Sequence, residues 1–121
     1  FTFVGPTASA DGYGVSCEAL TLSAVRDHGA DIAVVSYDWK DQRFCDPNFL
    51  AMLRHESVCA ERDTCVVYFL PYALGRFRGR KTTICQTMWE SDRLPDKWAA
   101  LTDCYADGVI VPSEHCREGF A

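Results

Sequence analysis

Short apolar, β-rich runs alternate along this chain with longer stretches in which apolar residues recur at helical spacing. Phe1 to Val4 is the first short run, closed by Gly5-Pro6. Ile32 to Tyr37, Cys65 to Leu70, Thr82 to Met88 and Val109 to Val111 are the others, and each reads as a strand. Continuous apolar runs of this kind suit a parallel sheet covered on both faces. Thr7 to Gly14 reads as a loop of small residues, with a helix from about Val15 to His28 stopped by Gly29. In that helix Val15, Ala19, Leu22 and Val25 form one apolar stripe. Cys17, Leu20 and Ala24 form a second, nearly opposite. Two apolar sides predict a largely buried helix, lying under a further element not present in these 121 residues.

Asp46-Pro47 reads as a helix start, with Asp46 as cap and Pro47 at the first helical position; Phe49, Met52 and Leu53 then face one way. Pro71 to Lys81 reads as a loop. Asp96 to Tyr105 reads as a helix with Trp98, Leu101 and Tyr105 on one face, ended by Asp107-Gly108. Pro112-Ser113 leads into a last helix, with Ser113 as its cap. Strand and helix alternate through nearly the whole length, with no internal repeat and no low-complexity segment. The pattern predicts an α/β fold: a parallel sheet with helices on both faces.

Composition narrows the classes of function. A chain of 121 residues that is 48% hydrophobic fits one domain with a substantial core. The formal net charge of -5 argues against nucleic acid as a partner. No apolar run approaches the roughly 20 residues of a membrane-spanning helix, and there is no signal-peptide pattern. There are seven cysteines and no Cys-x-x-Cys pair. Cys17, Cys65, Cys85 and Cys104 sit inside apolar runs, as small hydrophobes do, which predicts reduced thiols and a cytoplasmic location. Cys45, His55, Cys59 and Cys65 match no common zinc spacing, so no metal is expected. His28, His55 and His115 lack a paired nucleophile or metal spacing. Phe1 already lies inside a strand pattern, and Ala121 follows soon after a helix start, so both ends read as cut.

The candidate chemistry centres on Trp89-Glu90-Ser91-Asp92-Arg93-Leu94-Pro95, the polar link between the strand Thr82 to Met88 and the helix that follows. Such links lie at the carboxyl edge of a parallel sheet, where open α/β folds bind ligands. Glu90 and Asp92 therefore stand at the mouth of a cleft; Asp92 has the alternative of capping the next helix. Gly12-Tyr13-Gly14 lies where a strand turns into a helix, which favours an anion; the alternative is a tight turn that needs glycine. Arg76, Arg78, Arg80 and Lys81 form a basic cluster suited to an anionic acceptor or an acidic membrane surface, against the more ordinary solvated loop.

Three stretches together resemble the amino-terminal half of a GT-B glycosyltransferase of the retaining, group 1 type. They are Gly12-Tyr13-Gly14 opening a helix that closes on His28-Gly29; Met88-Trp89-Glu90-Ser91-Asp92-Arg93-Leu94-Pro95 followed by Trp98; and Asp107-Gly108-Val109-Ile110-Val111-Pro112-Ser113-Glu114 with Phe120 further on. The resemblance implies that residues 1–121 are an acceptor-side Rossmann-like domain, incomplete at both ends, that stops before the carboxyl-terminal donor-binding domain. It implies hexosyl transfer from a nucleotide-sugar donor to an acceptor, with no cofactor and no metal, and no activity from this chain alone. It implies Glu90 as the catalytic carboxylate, and Gly12, Tyr13, Gly14, Trp89, Ser91, Asp92 and Ser113 as substrate-binding residues, Trp89 by stacking on a sugar ring. Two other readings stay open here: Trp89 as a core aromatic, and the whole chain as a non-catalytic α/β module that binds a nucleotide or a protein.

Overall fold

The computed structural model describes residues 1–7, 12–37, 45–57, 64–77, 82–89, 91 and 93–121. Six parallel strands form one sheet in the order β3-β2-β1-β4-β5-β6. They are β1 (Thr2–Gly5), β2 (Ala33–Ser36), β3 (Leu53–Arg54), β4 (Thr64–Tyr68), β5 (Thr82–Gln86) and β6 (Gly108–Ile110). The helices are α1 (Gly12–His28), α2 (Pro47–Met52), a 3-10 helix (Pro71–Arg76), α3 (Asp96–Tyr105) and α4 (Glu114–Phe120). The chain thus starts mid-sheet, moves outward through β2 to β3, returns to lay β4 beside β1, and moves outward the other way. This is the doubly wound order whose switch point falls between β1 and β4.

Right-handed crossovers taken in opposite directions put their helices on opposite faces. The two cores follow from this. Phe3, Cys17, Val34, Phe49 and Tyr68 bury together on the face that carries α1 and α2. Val4, Val35, Val67, Leu74, Phe77 and Cys85 bury together on the other face, with Tyr105 of α3 packed against them. Phe3 and Val4, like Val34 and Val35, are chain neighbours that serve opposite cores, as the strand period of two requires. Register aligns Phe3 with Val34 on one side and Val66 on the other.

The capping signals behave as the sequence indicates. The Asp46 carboxylate accepts from Asn48 N–H at 2.7 Å, with Pro47 at the first helical position. Ser113 Oγ accepts from Cys116 N–H at 3.2 Å and caps α4. Gly29 takes φ 62°, and its N–H donates to Val25 C=O at 3.0 Å, which closes α1 in the left-handed conformation. Helix α3 spans the expected residues.

Four expectations need correction. Helix α1 is not buried on two sides. Gly14, Cys17 and Thr21 face the sheet, while Val15, Leu20 and Val25 are exposed. Helix α1 also begins at Gly12, so Gly12, Tyr13 and Gly14 are its first turn and not a loop. The segment read as a loop from Pro71 opens with the buried 3-10 helix, because Ala73, Leu74 and Phe77 supply much of the second core. The apolar trio after Pro47 is split: α2 stops at Met52, and Leu53-Arg54 turns into the edge strand β3, paired with Val34 and Val35.

Candidate ligand site at the carboxyl edge

Tyr13 is the pivot of the site. It stands just past the end of β1, beside the switch point. Its ring lies 5.4 Å from Tyr68 and 5.5 Å, edge-on, from Phe69, so residues of β4 and its exit fix its position. Trp89 is fixed as firmly. It packs edge-on against Trp98 of α3 at 4.8 Å, and its indole N–H donates to Arg93 C=O at 2.8 Å. The Cys116 thiol of α4 donates to Trp89 C=O at 3.1 Å. The link after β5 is thus tied both to the helix that follows it and to α4.

These aromatics border two adjoining cavities. One, of about 460 Å³, is lined by Tyr13, Leu70, Met88, Trp89, Ser91 and Trp98. The other, of about 440 Å³, runs from Tyr13 along Leu20 of α1 to Gln86, Ile110 and Pro112. Tyr13 and Met88 belong to both. Residues that follow β1, β4, β5 and β6 therefore meet at one edge of the sheet, and each cavity is of the size that takes a small organic ligand. The first has rings as walls, with the Ser91 hydroxyl and a tyrosine as polar groups; such walls take the apolar face of a sugar or a planar base.

Of the residues singled out from sequence, Tyr13, Trp89 and Ser91 are brought together in one cavity. Gly12, Gly14 and Ser113 line neither of the two, and the Ser113 hydroxyl is engaged as a cap. Trp89 is neither pure core nor free platform: it is half-buried, wedged on Trp98, and faces the cavity. Glu90 and Asp92 lie outside the described residues, as do Arg78, Arg80, Lys81 and Cys59. Arg76, the described member of the basic cluster, is exposed but engaged. Its guanidinium pairs with Glu56 at 2.5 Å and lies over Tyr37 and Phe77, and the Glu56 contact raises its pKa further.

Sequence reading missed Met88, Leu70, Tyr68 and Ile110 as cavity walls. Each is a large apolar residue at or just past the end of a strand run, and that position was the available signal. It also missed the pair at the ends of β1 and β2, where Thr7 Oγ1 donates to the buried Ser36 Oγ at 2.7 Å. No group of His, Cys, Asp and Glu among the described residues can hold a metal ion. No disulfide joins any two of the six described cysteines. No described helix is long and apolar enough to cross a membrane.

Fold and site define an α/β protein of doubly wound order with an aromatic-walled groove beside its switch point. Compared with models of protein families, with characterised proteins and with solved structures, the chain matches none.

Proposed function

We propose that the chain is the acceptor-side Rossmann-like domain of a glycosyltransferase, the amino-terminal half of a GT-B arrangement. In it the aromatic cavity holds part of a sugar donor or its acceptor. One observation carries the reading. Tyr13 of the first motif and Trp89 and Ser91 of the second line a single cavity, which shares Tyr13 with the neighbour lined by Val111 and Pro112 of the third. Three stretches far apart in sequence and alike in family resemblance thus meet at the ligand edge. In this reading Trp89 and Tyr13 stack on or border a sugar ring, and Ser91 donates to a hydroxyl. Glu90, adjoining both Trp89 and Ser91 in the chain, supplies the carboxylate that stabilises charge as the glycosidic bond changes hands. A facing donor-binding domain supplies most nucleotide contacts and excludes water, and its location is the cytoplasm.

Titration of the 15N-labelled chain with a panel of nucleotide sugars and their free nucleotides tests this. The expected result is saturable shifts at Tyr13, Met88, Trp89, Ser91 and Trp98 that depend on the sugar. Shifts of the same size with the bare nucleotide favour a non-catalytic nucleotide-binding module. No response to any sugar overturns the proposal. With a donor-binding domain joined to this one, Glu90→Gln should lower transfer at least about tenfold, or roughly 1.4 kcal/mol of transition-state stabilisation.

A further inference from the structure

A third cavity lies across the switch point, at the carboxyl ends of β2 and β3. It has a volume of about 220 Å³ and is lined by Val35, Ser36, Arg54, His55, Glu56 and Arg76. We infer that it binds the phosphoryl group of a small phosphate ester. The inference is independent of the transferase reading.

Ser36, Arg54, His55 and Arg76 bring hydrogen-bond donors to the lining, beside the apolar Val35 and the carboxylate of Glu56. The Arg76 guanidinium lies 5.5 Å from the Tyr37 ring centre and 5.7 Å from that of Phe77, and its Nη1 donates to Tyr37 C=O at 3.3 Å. The rings hold the planar fork in place. Its Nε and Nη2 donate side by side to the two oxygens of Glu56, at 3.2 and 2.5 Å. That fork is the geometry by which arginine grips an oxyanion. Arg54 comes to the lining from the end of β3. Its Nη1 donates to Ala51 C=O and Leu53 C=O at 2.7 and 2.8 Å, and the remaining guanidinium hydrogens have no partner among the described residues. His55 Nδ1 accepts from Ser57 N–H at 3.2 Å, a bond that leaves Nε2 as the ring's N–H donor.

Two guanidiniums and one carboxylate line the cavity, and Arg76 alone pairs with Glu56, so the lining keeps the Arg54 positive charge after that pair is counted. A cation is repelled there. An anion gains two charge-assisted forks and an imidazole N–H, and displaces Glu56 from Arg76. Donors that converge from two strand ends and from the 3-10 helix suit a tetrahedral dianion better than a flat carboxylate. Glu56 is the resident competitor: it occupies the Arg76 fork and is 39% exposed, so its release into water costs little.

Isothermal titration of the 121-residue chain with inorganic phosphate at low ionic strength tests the inference, with acetate as the carboxylate control. Saturable phosphate binding is expected, weakened at least about tenfold in Arg54→Ala by the loss of a charge-assisted contact. Glu56→Gln should tighten it by about fivefold, because the competing charge is gone while the side chain keeps its size. That gain separates a binding site from a mere latch between two segments, for which removal of Glu56 charge brings no affinity for phosphate. Absence of saturable binding in both the parent and Glu56→Gln overturns the inference. So does equal binding of acetate, or phosphate affinity indifferent to Arg54.

Discussion

A Cβ placed on Gly5 would come within 2.9 Å of Cys17 Sγ. The last residue of β1 thus packs against the buried Cys17 side chain of α1 with no room for a further methyl group. Gly5→Ala should destabilise the chain by about 1–3 kcal/mol, since Cys17 is fully buried and has nowhere to shift. Replacing Cys17 by Ala in the same protein removes the clashing atom. The double variant should then be less destabilised than the sum of the two singles by at least about 1 kcal/mol. Urea denaturation of the four proteins measures the coupling; strict additivity would show that the contact does not limit packing.

Asp107 and Thr83 exchange two hydrogen bonds where α3 hands over to β6. Thr83 N–H donates to the Asp107 carboxylate at 2.7 Å, and Asp107 N–H donates to Thr83 C=O at 2.7 Å. The clamp fixes the entry of β6 and so the position of Ile110 and Pro112 in the groove. Asp107→Ala leaves the Thr83 amide without its acceptor and should cost about 1–2 kcal/mol of unfolding free energy. A chemical denaturation midpoint equal to that of the parent would show that water takes over the acceptor role at no cost.

Asp27 carries the clearest pH signature. Hydrogen bonds from Arg26 first, and then from Ser23, hold its carboxyl down at about 2, below the ordinary 3.8. A depressed carboxyl favours the folded state above its ordinary pKa, and that contribution is lost as pH falls through about 2. Carbon-detected NMR titration should therefore find Asp27 as a low-titrating carboxyl. Arg26→Gln should raise its midpoint more than Ser23→Ala does; the reverse order would mean that the hydroxyl is the main anchor.

The layout of the sheet was legible because parallel strands buried on both faces are written as unbroken apolar runs: Ile32 to Tyr37 and Cys65 to Leu70 could hardly be anything else. Caps were legible for a local reason, since Asp46 and Ser113 act on amides two and three residues away. What escaped was set at long range. Leu53 belongs to helix by its spacing, yet pairing with Val34 makes it strand. The apolar content of α1 could not reveal that Val15, Leu20 and Val25 stay exposed, because burial depends on which element lies above them. At the site, the rule that strand-to-helix links share one edge put Tyr13, Trp89 and Ser91 on the same edge; that they meet in one cavity depends on the strand order, which only the family resemblance implied. It was blind to Arg54 and Arg76, which reach their cavity from an unforeseen strand and an unforeseen 3-10 helix.

Thiol chemistry separates the cysteines that sequence reading treated alike. Cys17, Cys45, Cys65, Cys85 and Cys116 are buried, whereas Cys104 on α3 is exposed. Burial also pushes the Cys85 thiol up to about 12, so its reactive thiolate is scarce at pH 8 for two reasons at once: few reagent molecules reach it, and few of its thiols are ionised. Brief alkylation of the native chain with iodoacetamide at pH 8, followed by peptide mass mapping, should modify Cys104 ahead of Cys85 by at least about a hundredfold in rate. After unfolding in guanidinium the two should react at similar rates, because both the barrier to access and the desolvation are gone. Cys116 provides the link to the site. Its thiol is held on Trp89 C=O, so its modification should be slow in the native chain and faster in Trp98→Ala, which removes the ring that wedges Trp89. Equal Cys116 rates in parent and variant would show that Trp98 does not hold the link in place, and that the cavity wall depends on other contacts.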